Sequence, residues 1–196
     1  MSFRGFYGIA DAQFGPIERQ VRHLIDTGAC AIQLRCKTWK PARLESTAAA
    51  LFPACERAGI PLILNDVFLP HCSHGTHLGQ EDGELPRVGV PEGFLFGRST
   101  HSIPQLVRAI EEGANYAGFG PVYGTQTKAN AGPSLGIHQL REAVSLGLPL
   151  VAIGGITLAR LEEVRGTGTA SWTAISAVWT AADPLQALRA FSAPVG

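Results

Sequence analysis

Short apolar runs alternate along the chain with longer amphipathic stretches, and a glycine stands before most of the runs. The runs are Phe6–Ala10, Ala31–Leu34, Pro61–Leu64, Gly75–Leu78, Phe94–Phe96, Tyr116–Phe119, Leu150–Ile153 and Trp172–Ile175. Their length is that of buried strands rather than helices. Between them, Ile17–Thr27, Ala42–Ala58, Ile103–Glu112, Ile137–Ser145, Leu158–Arg165 and Leu185–Phe191 read as helices. Gly28, Gly59, Gly75, Gly93, Gly113, Gly147 and Gly168 fall where helix C-caps belong. Pro16, Pro41, Ser102 with Pro104, and Pro184 mark helix starts.

Strands alternating with helices imply right-handed βαβ units and a parallel sheet. Eight runs favour a closed (β/α)8 TIM barrel over an open doubly wound sheet, since no G-x-G-x-x-G follows the first run. Such barrels hold about 250 residues, with about 200 as the floor. At 196 residues this one must be compact. The third and fourth units are the thinnest, with the Asn65–His77 and Asp82–Gly97 segments both short. No linker or charge block divides the chain, so residues 1–196 read as a single catalytic domain.

Sixteen basic and sixteen acidic residues cancel, which gives no electrostatic case for nucleic acid or an anionic membrane. Any anion site must therefore be local. No apolar run is long enough to span a bilayer, and the start, Met1-Ser-Phe-Arg-Gly-Phe6, lacks the apolar segment of a signal peptide. Cys30, Cys36, Cys55 and Cys72 show no C-x-x-C spacing, which argues against structural zinc and a disulfide framework and fits a reducing cytoplasm. A homo-oligomer is compatible with the sequence, which does not define the oligomeric state.

The polar ends of the strands carry the chemistry. Gln33, Arg35 and Lys37 alternate at the end of the second run and so project to one face. Two cations and an amide there point to an anion, most naturally a phosphate. Asn65-Asp66 closes the third run and Gln80-Glu-Asp82 the fourth. For either aspartate alone an N-cap is the likelier reading, but together, facing Arg35 and Lys37, the paired carboxylates suit Mg²⁺. Ser99-Thr-His101 follows the fifth run. After the seventh and eighth come Gly154-Gly155 and Ile175-Ser176, where such barrels bind phosphate on backbone amides. The longest loop, Gly120 to Pro133, holds Thr125, Thr127 and Lys128 and reads as a lid. His71, His74 and His77 share a three-residue spacing, but Gly75 breaks that segment, which argues against a zinc site. Trp39, Trp172 and Trp179 read as packing residues.

In this order the motifs resemble those of thiamine phosphate synthase and its thiazole tautomerase relatives, a TIM-barrel family. The resemblance runs through Tyr7-Gly-Ile-Ala-Asp11, Gln33-Leu-Arg-Cys-Lys37, Asn65-Asp66, His77-Leu-Gly-Gln-Glu-Asp82, Gly97-Arg-Ser-Thr-His-Ser102, Gly118-Phe-Gly-Pro-Val-Tyr123, Thr125-Gln-Thr-Lys128, Ala152-Ile-Gly-Gly-Ile156 and Ile175-Ser-Ala177. It implies a transferase that joins a hydroxymethylpyrimidine diphosphate to a thiazole phosphate and releases diphosphate. It implies that Arg35, Lys37, Asn65, Ser99 and Lys128 hold the pyrimidine diphosphate and that Asp66 and Asp82 hold Mg²⁺. It assigns Thr125, Thr127, Gly155, Ile175 and Ser176, beside Gly154, to the thiazole phosphate. Cys36 stands where the family pattern has an acidic residue; facing away from Arg35 and Lys37, it is expected to affect packing alone. Two other functions fit parts of the set: the tautomerase, which needs no metal or diphosphate clamp, and a non-catalytic barrel that senses thiazole or thiamine phosphate. The combination of Arg35, Lys37, Asp66, Asp82 and Lys128 favours the synthase, as does Pro121 where the tautomerase carries a histidine.

Overall fold

Eight parallel strands close on themselves in the computed structural model, which describes residues 4–125 and 132–193. The strands are β1 (Gly5–Asp11), β2 (Ala31–Arg35), β3 (Leu62–Asn65), β4 (Gly75–Leu78), β5 (Leu95–Thr100), β6 (Tyr116–Phe119), β7 (Leu150–Ala152) and β8 (Ser171–Trp172). Each pairs with the next, and β8 returns to β1. Around them lie α1 (Ile17–Asp26), α2 (Pro41–Ala58), α3 (Ile103–Glu111), α4 (Gly136–Ser145), α5 (Leu158–Arg165), α6 (Ser176–Trp179) and α7 (Pro184–Ser192). No helix among the described residues is long and apolar enough to cross a membrane.

The period of two along each strand divides the core into two layers. Phe6, Ala10, Ile32, Leu34, Leu62, Leu64, Phe119 and Trp172 face the helices. Tyr7, Ile9, Ala31, Ile63, Leu95, Tyr116 and Val151 fill the barrel itself. Helix α1 answers with Ile17, Val21 and Leu24, one apolar stripe at helical spacing, all buried. Proline opens α2, and Gly59 ends it in the left-handed region at φ 67°. The Ser102 and Asp183 side chains accept from the Gln105 and Gln186 amides to cap α3 and α7.

The third and fourth units have no helix at all: residues 66–74 and 79–94 are turns and irregular chain. Part of the outer wall there is aromatic, with the Phe94 ring 5.2 Å from Phe68 and 5.4 Å from Phe96. Two of the seven glycines therefore do not end helices. Gly75 begins β4, where a Cβ would meet the Leu95 carbonyl oxygen at 2.5 Å, and Gly93 lies in a turn. Strand β5 runs four residues past the apolar run, to Thr100. Its polar residues all find partners, which is how a polar sequence continues a buried strand. Strand β8 is the reverse case, ending at Trp172.

Candidate active site

Register places Asp11 beside Arg35 at the rim. The Arg35 guanidinium donates to the Asp11 carboxylate at 2.5 Å, with Asp11 buried and Arg35 15% exposed. Asp11 is itself held from three sides. Its other carboxylate oxygen accepts from the Gln13 amide, its N–H donates to the Gln20 side chain, and its carbonyl accepts from the Gln20 amide nitrogen. Gln20 is a polar residue on the buried face of α1, and this bracket is what it is there to make. Lys37 lies beyond the strand, half exposed, with Nζ 3.6 Å from Asp66. Cys36 turns the other way into the sheet–helix core, where burial pushes its thiol up to about 11.

Asp66 and Asp82 come together from adjacent loops. Neither precedes a helix, so N-capping does not account for them. Among the described residues Asp66 is the one non-glycine with positive φ, at 64°; such strain persists where the surroundings enforce it. Burial and a hydrogen bond with Asp82 hold its carboxyl above the usual range, against the pull of Lys37. Asp82 is pushed up by burial but held low overall by its bond to Asp66, by the Gly79 amide 2.6 Å away, and by Lys37 and Arg98.

Arg98 fixes that loop. Buried on the outer side of β5, it donates to the Gly79 and Gly83 carbonyls, both at 2.8 Å, and to Glu112. Asp82 sits between the two clamped carbonyls. Two carboxylates at close quarters repel, and a hard cation relieves that repulsion. Among the described residues no larger His, Cys, Asp or Glu group is placed to hold a metal. A two-carboxylate, oxygen-only donor set that leaves room for substrate oxygens and water fits Mg²⁺.

A polar line crosses the barrel floor. Gln33 Nε2 donates to Asn65 at 2.6 Å, and the Tyr7 hydroxyl donates to Gln33 at 3.1 Å. The Tyr7 and Tyr116 hydroxyls are 2.9 Å apart, His77 Nδ1 lies 3.2 Å from Tyr116, and His77 Nε2 lies 2.9 Å from Ser99 Oγ. Burial, then the nearby Arg98 charge, pushes His77 down to about 4, with Asp82 opposing. Burial raises both tyrosines. The three evenly spaced histidines part company: His71 pairs with Glu45, His74 accepts from the Leu62 amide, and only His77 enters the barrel.

Across the mouth, Gly154 and Gly155 are left-handed at φ 97° and 61°. Their lack of side chains also lets the chain after β6 cross directly above. A Cβ on Gly154 would meet Pro121 Cα at 2.5 Å, and one on Gly155 would meet the Gly124 carbonyl oxygen at 2.5 Å. The Gly155 carbonyl accepts from Arg160 at 2.8 Å. Ile175 and Ser176 begin α6, which Trp179 pins to β1 by donating to the Ile9 carbonyl at 2.8 Å. Trp172 likewise donates to the Phe191 carbonyl.

One cavity of about 220 Å³ gathers Gln33, Arg35, Lys37, Asn65, Asp66, Asp82, Ser99, Thr125, Gly154, Gly155, Ile175 and Ser176. Thr127 and Lys128 lie outside the described residues. Tyr7, His77, His101 and Tyr116 also line the cavity and had no assigned role in the sequence. The tyrosines sit inside apolar runs and so look like core; only the period of two, turning them inward, marks them.

These features have close counterparts in known proteins. The family description "Thiamine monophosphate synthase" matches residues 6–178. The chain is 39% identical over 174 residues to the thiamine-phosphate synthase of Methanocella arvoryzae, covering 86% of this chain and 82% of that protein. It is 41% identical over 169 residues to that of Methanoculleus marisnigri (83% and 80% covered), and 35% over 185 residues to that of Neisseria meningitidis (91% and 90% covered). The thiamine phosphate pyrophosphorylase of Pyrococcus furiosus superposes with a TM-score of 0.83 at 27% identity, covering 97% of this chain and 94% of that one. With the family description matching residues 6–178 and relatives at 35–41% identity matched along most of their length, the chain belongs to the thiamine monophosphate synthase family.

Proposed function

We propose that this chain couples hydroxymethylpyrimidine diphosphate to a thiazole phosphate, releasing diphosphate and forming thiamine phosphate. The observation that carries this reading is the division of the mouth. Arg35, Lys37, Asp66 and Asp82 gather over β2–β4, while Gly154, Gly155, Ile175 and Ser176 lie opposite, after β7 and β8. A metal-assisted diphosphate site facing a neutral backbone site suits one substrate that leaves its diphosphate and another that keeps its phosphate.

In the reaction the bond between the pyrimidine methylene carbon and the diphosphate oxygen breaks, and the electron pair departs with diphosphate. The thiazole nitrogen lone pair then forms the new carbon–nitrogen bond. No protein nucleophile is required. Arg35, already aimed by Asp11, and Lys37 stabilise charge gathering on the leaving oxygens, joined by Lys128 from the loop after β6. Asp66 and Asp82 would hold Mg²⁺, which would supply divalent charge to offset that of the departing diphosphate. Asn65 and Ser99 orient the pyrimidine diphosphate, and Thr125, Thr127 and the glycine pair seat the thiazole phosphate. Four free cysteines support a reducing, cytoplasmic setting.

Purified protein supplied with both substrates tests the reading. Product should form with Mg²⁺ and fail without it, and Lys128→Ala or Asp82→Ala should abolish coupling while the fold melts cooperatively. Isomerisation of a thiazole carboxylate phosphate without metal would identify the tautomerase instead, and ligand binding with no turnover would identify a sensor.

A further inference from the structure

The cavity floor carries an order of protons that the coupling chemistry alone does not demand. Asn65, Gln33, Tyr7, Tyr116, His77 and Ser99, from six different strands, form one continuous line. The four interior members are at most 7% exposed, so water does not set their hydrogen bonds. The orientation of the Gln33 and Asn65 amides sets the direction. Gln33 gives an N–H to Asn65 and turns its carbonyl oxygen, which only accepts, towards Tyr7.

The one hydroxyl proton of Tyr7 therefore goes to Gln33, and Tyr116 must donate to Tyr7. The Tyr116 proton is then committed, so His77 Nδ1 carries a hydrogen and donates to Tyr116. A neutral imidazole has one N–H, which makes Nε2 the acceptor of the Ser99 hydroxyl proton. His77 is buried and both of its ring nitrogens face hydroxyls rather than a carboxylate, surroundings that favour the uncharged ring.

The backbone is built around the His77–Tyr116 contact. Register aligns His77 with Gly97 and Gly97 with Tyr116, so a residue without a side chain separates them. A Cβ on Gly97 would lie 2.4 Å from His77 Nδ1 and 2.3 Å from Tyr116 Cζ.

We propose that His77 and Tyr116 are positioning residues that fix Ser99 as a hydrogen-bond acceptor and Gln33 as a donor, so that the floor selects a ring bearing an exocyclic amino group beside a ring nitrogen over its oxo counterpart. This rests on the pyrimidine assignment above. The Ser99 lone pairs receive the amino hydrogens, and the second Gln33 N–H meets the ring nitrogen. An oxo analogue sets a carbonyl against lone pairs and an N–H against an N–H, two mismatches that an enclosed site penalises.

Nitrogen-15 NMR of the substrate-free protein at neutral pH tests the proton order directly. The His77 signals are identified by their loss in His77→Gln. A proton on Nδ1 and a bare Nε2 are expected; the opposite tautomer would make Ser99 a donor and overturn the proposal. Calorimetric titration with aminopyrimidine diphosphate and its oxo analogue tests the consequence without requiring turnover. The native protein should prefer the amino form, and Tyr116→Phe and His77→Leu should reduce that preference roughly 10- to 100-fold. His77→Gln, whose amide both donates to Tyr116 and accepts from Ser99, should retain most of it. No preference in the native protein, or full preference in both Tyr116→Phe and His77→Leu, overturns the idea. Absence of coupling with the preference intact sinks the synthase reading and leaves the floor's selectivity supported.

Discussion

Replacing Arg98 with methionine should loosen one carboxylate of the metal pair without touching it. Arg98 is 4% exposed and makes four hydrogen bonds, two to Glu112 and one each to the carbonyls of Gly79 and Gly83. Methionine keeps most of the stem's packing and removes every donor. Hydrogen bonds to a charged group contribute about 1.5–3 kcal/mol each before discounting. Here the discount is large, because Glu112 and both glycines reach solvent and recover water. A net loss of about 2–3 kcal/mol follows, or a fall of about 5–10 °C in Tm for a chain of this size. Part of that loss falls on the loop holding Asp82. If the binding-competent loop drops to about a tenth of the population, half-saturation by Mg²⁺ rises about tenfold. Thermal unfolding and a Mg²⁺ titration of coupling rate measure the two effects, with Asp82→Asn as the reference for complete loss. A lower Tm with unchanged Mg²⁺ half-saturation would refute the link between Arg98 and the metal pair.

Two further outcomes follow from the same contacts. Asp11→Asn keeps the acceptor for the Gln13 amide but removes the counter-charge from Arg35, so inhibition by inorganic diphosphate should tighten about tenfold, some 1.4 kcal/mol, while kcat falls; an unchanged inhibition constant would show that Arg35 does not depend on Asp11. Since His77 is held near 4 against an ordinary 6.5, the unfolded chain takes up its proton first on acidification. The stability it contributes, up to about 3 kcal/mol, is present above about pH 6.5 and lost as pH falls towards 4. Urea midpoints for the native protein and His77→Gln across that window should converge as pH drops, and parallel curves would count against a buried neutral histidine.

The barrel and most of its mouth were legible because strand-end residues are defined by position. Once eight runs are counted, Gln33, Arg35 and Asn65 must open into one cavity, and they do. What the pattern hid was partnership. Asp11 shows in the sequence as one more rim carboxylate, yet its partner Arg35 lies 24 residues away, joined only by β1–β2 register. Arg98 sits in a polar stretch that reads as loop, whereas the structure makes it strand, because its charge is satisfied on the outer face by groups from two separate segments, the loop after β4 and the end of α3. The missing helices were foreshadowed by short spacing, but the aromatic patch on that wall was not. Phe68 and Phe94 are 26 positions apart, and nothing local announces their contact.

The Asp11–Arg35 pair has a further bearing on turnover. A guanidinium with its own resident carboxylate never faces solvent as bare charge: a diphosphate bound there as proposed would trade places with, or add to, an anion already present, and on its departure the arginine would fall back to its neighbour. Loaded and empty forms would then differ by a swap of counter-ions. Product escape would be easier than from a lone cation in the same mouth, and the speed of recycling would depend on an aspartate that need never touch the reacting atoms.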